Sequence, residues 1–175
     1  MFSSPEQNIL KLGLTEGMRV ADFGAGTGFY SKACSTRVGP SGKVFAIEVQ
    51  KELIKKLEVD LRNWGISNVE CIWGDIERRG GTKLSDNSID AVIVSNVLSL
   101  TEDKIGLIEE AKRILKREGK VLLVDWTYSF GGDGPKSENL ITEDKAKDLF
   151  ERRGFKLEER ISVGANHYGI IFKYE

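Results

Sequence analysis

Val20-Ala-Asp-Phe-Gly-Ala-Gly-Thr-Gly-Phe-Tyr30 is the stretch on which the fold turns. A short apolar run, Met18 to Phe23, contains an acid near its end, Asp22. Glycines then follow at alternate positions, Gly24, Gly26 and Gly28, before a helical pattern begins. Glycine there lets the backbone turn tightly off a strand and lets a ligand approach the main chain without a Cβ in the way. The helix that follows points free N–H groups at the bound molecule. A glycine-rich turn without a ligand is the other reading, and the acids that recur downstream weigh against it.

The spacing separates two kinds of nucleotide pocket. A dinucleotide fingerprint, G-x-G-x-x-G/A, needs a small third residue so that helix and strand pack closely. Counting from Gly24, that position is Phe29, which is too large. The pattern here is D-x-G-x-G-x-G. A carboxylate two residues before the first glycine would repel a pyrophosphate but suits a ligand carrying an ammonium group.

Composition narrows the classes. A chain of 175 residues is expected to form one domain, 1–175, with a single core. Hydrophobic content of 40% and charged content of 30% describe an ordinary globular protein. A net charge of −1 gives no global field for nucleic acid or membrane. The local basic run Lys112-Arg113, Lys116-Arg117 and Lys120 falls at the end of an expected helix, where cations complement the dipole. Cys34 and Cys71 lack metal-ligand spacing and read as packed, reduced thiols. No basic-then-apolar leader and no long apolar run is evident. The expectation is a cytoplasmic protein with no metal and no membrane partner, its oligomeric state open.

Outward from the glycine turn, β and α patterns alternate. Ser4-Pro5-Glu6-Gln7 reads as a helix start with Gln7 as capping-box partner, giving a helix 5–12. Strands are expected at 19–23, 43–48, 69–73, 89–95 and 120–126. Helices are expected at 29–38 and 51–64, then at 102–116 with Thr101 as cap, and from Thr142 to about Arg153. Two final strands, 155–161 and 167–173, are joined by too few residues for a parallel crossover, so they form an antiparallel hairpin. The alternation predicts a mostly parallel sheet with helices on both faces.

Glycine turn and topology together resemble the class I S-adenosylmethionine-dependent methyltransferases. That resemblance implies a Rossmann-like three-layer α/β sandwich with strand order 3-2-1-4-5-7-6, the last strand antiparallel, and S-adenosylmethionine as cofactor. Motif I would be Asp22, Gly24, Ala25, Gly26, Thr27 and Gly28, with Tyr30 near the carboxyl end of the cofactor. Glu48, ending the second strand, is suited to accept from both ribose hydroxyls, and Val49 to pack on adenine. Gly74-Asp75-Ile76 is similar to the motif in which an acid accepts the adenine amino group, although Gly-Asp also starts ordinary turns. At the end of strand four, Asn96 stands either as a site residue or as a plain loop residue. Phe29 is expected to pack the first helix.

No catalytic base is obvious. Asn96 and Asp125 are the candidates, with Trp126 and Tyr128 as acceptor-pocket residues; His167, the sole histidine, reads as a half-exposed strand residue. The general pattern is nearest to menaquinone-biosynthesis and arsenite methyltransferases, but the three clustered cysteines expected for arsenite chemistry are missing. A short glycine-rich segment, 127–141, would be a minimal lid. The expected activity is in-line methyl transfer to a small-molecule acceptor. An RNA or protein methyltransferase, or a silent cofactor-binding subunit completed by a partner, are the alternatives.

Overall fold

The computed structural model describes residues 4–128 and 135–175. The chain runs α1 (Pro5–Leu12), β1 (Arg19–Phe23), α2 (Phe29–Val38), β2 (Lys43–Glu48), α3 (Lys51–Asn63), β3 (Val69–Trp73) and β4 (Ile89–Ser95). It continues through α4 (Lys104–Ile114), β5 (Leu115–Trp126), a 3-10 turn (Ser137–Asn139), α5 (Glu143–Glu151), β6 (Phe155–Ile161) and β7 (His167–Tyr174). The strands form one sheet in the order β3-β2-β1-β4-β5-β7-β6. The pairs from β3 to β5 are parallel, and β7 is antiparallel to β5 and to β6. This is the predicted Rossmann-like fold.

Period-two alternation explains the layers. Val20, Val44, Ile93, Leu122 and Val124 pack with Ile9 and Leu12 of α1 and with Cys34 and Val38 of α2. Their neighbours Ala21, Phe23, Val92, Val94 and Leu123 pack with Leu107 and Ala111 of α4 and Phe150 of α5. Leu57 and Leu61 of α3 cover Ala46 of β2. Each fully buried Leu, Ile, Val or Phe contributes roughly 1.5–3 kcal/mol, so both faces of the central strands must be apolar. No helix of the described residues is long and apolar enough to cross a membrane.

Several local expectations shift. Ser4 donates its hydroxyl to Glu6 (2.7 Å) rather than entering a capping box with Gln7. Asp103, not Thr101, caps α4, accepting from the Gly106 amide at 2.8 Å. The Thr101 hydroxyl instead donates to the carbonyls of Val97 and Leu98. The helix stops at Ile114, because Leu115 is drawn into the sheet opposite Ile89 and buried completely. The pairing then jumps to Ala91↔Lys120, with Glu118 at φ 68° in the irregular stretch between. Ile105 of α4 is exposed. The basic run is engaged in ion pairs: Arg113 with Glu110 and Asp86, Lys116 with Asp90, and Lys120 with Glu158.

Glu110 ties α4 to the loop behind the nucleotide side of the sheet. Fully buried, it accepts from the amides of Gly80 (2.8 Å) and Thr82 (3.1 Å), the Thr82 hydroxyl (2.6 Å) and the Arg113 guanidinium (2.8 Å). Burial opposes its ionisation, but the bonds from Arg113, Thr82 and Gly80 prevail and hold its carboxyl down to about 2. The loop it grips in turn receives the Asp75 amide at the Gly81 carbonyl (3.2 Å). Because the folded pKa lies below the ordinary 4.5, this stabilisation is complete above that pH and is lost as pH falls toward 2. Glu110→Ala, which leaves Arg113 with Asp86 alone and the Gly80 and Thr82 amides without their acceptor, should cost about 2–3 kcal/mol in urea unfolding at pH 7, and the difference from wild type should shrink at pH 3. A cost below about 1 kcal/mol would show the cluster to be dispensable.

Candidate functional site

Sheet order reverses at β1, which has β2 on one side and β4 on the other, and the crevice at their carboxyl ends is where ligands of open α/β sheets bind. A cavity of about 1040 Å³ opens there. Ligand pockets run roughly 300–1,000 Å³, so this one stands at the upper end of that range.

The glycine turn is docked on β2. The amides of Gly24 and Ala25 both donate to the Ile47 carbonyl, at 2.9 and 3.0 Å. The Gly26 amide donates to Oε2 of Glu48 at 3.1 Å, while Oε1 of the same carboxylate accepts from the Val49 and Gln50 amides. Each carboxylate oxygen has two lone pairs. Oε1 is therefore filled and Oε2 keeps one acceptor position.

The three glycines serve different purposes. A Cβ on Gly24 would meet Val97 at 2.6 Å, and one on Gly28 would meet Leu57 at 2.2 Å. At Gly26 (φ +51°) the nearest atom outside its chain neighbours is the Gly24 carbonyl oxygen at 3.8 Å. A side chain there would stand in the cavity, so the space beside Gly26 is reserved for a ligand.

Asp22 lies in the wall, 2% exposed, accepting the Ser31 hydroxyl at 2.6 Å. Ser31 is buried on α2, directly above the turn. Burial pushes the Asp22 carboxyl up to about 6, against the pull of Ser31, and the nearby Glu48 charge adds to the rise. Asp75 turns its own loop, with Oδ1 accepting from the Glu77 amide (3.0 Å) and Oδ2 facing Arg78 (3.1 Å). The turn reading of the Gly-Asp pair thus holds, and Asp75 also lines the cavity.

Of the site residues expected from sequence, the structure brings Asp22, Gly24, Ala25, Gly26, Thr27, Tyr30, Glu48, Val49, Gly74, Asp75, Ile76 and Asn96 into this one cavity. Gly28 does not line it; it starts α2 at φ 78° and lets Leu57 close in. Asp125 does not line it either. It is fully buried, accepting from the Ser99 amide and hydroxyl and the Trp126 amide, so it clamps the segment after β4 from the opposite layer. Phe29 is not packed under the helix but is 62% exposed at the cavity rim. Trp126 lies against His167, ring centroids 4.3 Å apart, and Tyr128 donates to Asn166 (2.9 Å). Residues 129–134, the glycine-rich part of the expected lid, lie outside the described residues.

His167, half-buried in a strand as expected, lines the cavity as well. The signal was present: a strand antiparallel to β5 begins where β5 ends, and His167 pairs with Trp126 at the ligand end of the sheet. Asn96 adopts a left-handed conformation (φ 56°), with its amide donating to the Val124 carbonyl at 2.8 Å. Such a conformation is uncommon for a residue other than glycine.

A family model described as a methyltransferase domain matches residues 14–155. The chain belongs to the class I S-adenosylmethionine-dependent methyltransferases. It is 30% identical over 156 residues to an arsenite methyltransferase of Halobacterium salinarum, covering 83% of this chain and 39% of that protein. Over 116 residues it is 30% identical to a ubiquinone/menaquinone biosynthesis C-methyltransferase of Pasteurella multocida, covering 66% of this chain and 42% of that one. The chain thus spans about two-fifths of the length of these curated relatives. A crystal structure of an S-adenosylmethionine-dependent methyltransferase from Aquifex aeolicus superimposes with a TM-score of 0.90 at 28% identity, covering 99% of this chain and 91% of that one.

The cofactor of this methyltransferase is S-adenosylmethionine. The donor set fits it: a buried acid, a partly free carboxylate oxygen, and a glycine whose missing Cβ leaves the wall open. A carboxyl near 6 in that wall makes binding of an ammonium-bearing ligand pH-dependent. Affinity for S-adenosylhomocysteine should be constant from pH 8 to 7 and weaken toward about tenfold per unit below 6, and Asp22→Asn should abolish that dependence. Calorimetry across this range checks it; a flat wild-type profile would remove Asp22 from the amine's surroundings.

Proposed function

We propose that this chain transfers a methyl group from S-adenosylmethionine to a small-molecule acceptor by in-line displacement. The observation that carries this reading is the continuity of the cavity. It runs from Glu48 and Asp75 past Asp22 to a second end bounded by Tyr30, Asn96, Leu100 and His167.

In this reading Glu48 accepts from the ribose through Oε2, Asp75 and the Ile76 amide meet the adenine, and Val49 packs on its face. Asp22 holds the α-ammonium, and Gly26 brings the backbone against the ligand. Bound there, the cofactor supplies an electrophilic methyl group on a sulfonium sulfur. The chain's own share is placement of the two reactants and exclusion of water.

Charge supports a small acceptor. The charged side chains lining the cavity are Glu6, Asp22, Glu48, Asp75 and Glu77, with no lysine or arginine among them. Such a wall suits a cationic cofactor and repels a phosphate backbone. Exposed Phe29 and Leu100 at the rim suit an acceptor with an apolar body. The relatives named for arsenite and for ubiquinone/menaquinone biosynthesis are methyltransferases of small molecules by name. Arsenite itself is disfavoured: neither Cys34 nor Cys71 lines the cavity, and burial pushes the Cys71 thiol up to about 11 and that of Cys34 well above its ordinary value.

Transfer from methyl-labelled S-adenosylmethionine into a cell extract, separated by size, tests the proposal. Label is expected in the low-molecular-weight fraction, at a rate at least tenfold above that of Gly26→Val. Label confined to RNA or protein would replace the small acceptor with a macromolecule. Binding of the cofactor without transfer to any fraction would contradict catalysis by this chain.

A further inference from the structure

We propose that His167 is the proton-accepting group of the acceptor subsite: its Nε2 takes the hydrogen bond of the acceptor's O–H or N–H and receives that proton on transfer. This rests on the methyltransferase reading above and adds to it the class of acceptor, one that carries a removable proton at the atom methylated.

Topology places the imidazole there. Because β7 runs antiparallel, its first residue stands beside the last residue of β5, at the end of the sheet where the cofactor cavity opens. The position is held by the segment that follows β5. The Thr127 amide donates to the Asn166 carbonyl at 2.8 Å, and the Tyr128 hydroxyl donates to Asn166 Oδ1 at 2.9 Å.

Nε2 of His167 is buried and has no hydrogen-bond partner, and the same holds for Oδ1 of Asn96. Asn96 is linked to the same strand end through its amide bond to Val124, two residues before Trp126. Leaving a buried polar atom unpaired costs about 1–3 kcal/mol. Of the four buried side-chain atoms without a hydrogen-bond partner among the described residues, these two belong to residues that line the cavity, where a ligand can supply the missing partner. For Nε2 to meet the acceptor, the imidazole must turn from its tilted contact with Trp126 (39° between planes), a movement the proposal requires.

The other ionisable groups around this end are occupied or face elsewhere. Asp125 on β5 is bonded to Ser99 and Trp126 in the opposite layer. Glu6 on α1 accepts from the Ser4 hydroxyl, and Asp22 on β1 from Ser31. Burial lowers the pKa of His167, with the Asp125 charge opposing, so the ring is neutral at pH 7 and its lone pair is available.

The step balances without a further reagent. A lone pair on the acceptor atom forms the new bond to the methyl carbon, and the carbon–sulfur pair stays on sulfur, which becomes a neutral thioether. The acceptor's O–H or N–H pair remains on the acceptor atom, and its proton passes to the Nε2 lone pair, leaving an imidazolium that solvent discharges.

The sole histidine gives a direct readout. Protein labelled with ¹⁵N-histidine is saturated with S-adenosylhomocysteine and titrated with matched probes: phenol against anisole, and indole against 1-methylindole. The proposal expects at least one protic probe to shift the His167 Nε2 resonance by more than 2 ppm, and its methylated partner to shift it several-fold less. His167→Gln should weaken that protic probe at least fivefold while leaving S-adenosylhomocysteine affinity within twofold. A His167 resonance unmoved by every protic probe, or moved equally by both members of each pair, overturns the proposal while leaving the methyltransferase reading intact. Failure of S-adenosylhomocysteine itself to bind overturns both.

Discussion

Glu48 holds the site together through one carboxylate. It ends β2, grips the amide of Gly26 across the crevice, and turns its other oxygen to the amides of Val49 and Gln50. The three glycines of the turn have no side chains with which to hold its shape, and every conformation glycine permits is open to them in the unfolded chain. Its curve is set from outside, by Glu48 and by the Ile47 carbonyl that takes the amides of Gly24 and Ala25. What the sheet contributes is register: Asp22↔Ala46 and Phe23↔Ile47 put the ends of β1 and β2 level, so a carboxylate on one reaches the loop of the other.

Electrostatics divide the molecule into two regimes. Away from the cavity, acids and bases are matched, most tightly in the buried Glu110–Arg113 pair that braces the loop behind Gly74 and Asp75. Around the cavity, Asp75 alone of the lining acids has a close basic partner, Arg78, among the described residues. Asp22 shows the consequence, since its pKa climbs when only Ser31 answers its charge. A protein that pairs charges elsewhere and leaves this wall acidic is built for a ligand bearing positive charge.

Much of this was legible in the chain. The D-x-G-x-G-x-G run, Glu48 at the end of the next strand and the Gly74-Asp75 pair are local signals whose spacing is fixed by strand and crossover lengths. The five-residue connection between the last two strands was enough to require an antiparallel ending. What stayed hidden depends on partners distant in sequence. Leu115 leaves its helix because Ile89 offers a buried place in the sheet, a contact no local propensity encodes. Asp125 and Trp126 occupy the strand end expected of site residues, but alternation turns Asp125 into the other layer. His167 reaches the cavity only because β7 runs antiparallel to β5, a placement set by pairing with a distant strand and not by its own local run.

The measurement closest to the central claim compares S-adenosylhomocysteine with its 2′,3′-dideoxyribose analogue, by calorimetry, on wild type and Glu48→Ala with the fold of each checked by circular dichroism. If Glu48 both shapes the turn and holds the ribose, the substitution weakens the natural ligand by about 1.5–3 kcal/mol, the cost of losing hydrogen bonds to a charged group. The analogue, lacking both hydroxyls, should be weakened less than the natural ligand, by the loss of the brace alone. Equal loss for both ligands would reduce Glu48 to a brace for the loop, and unchanged affinity for S-adenosylhomocysteine would contradict the account altogether.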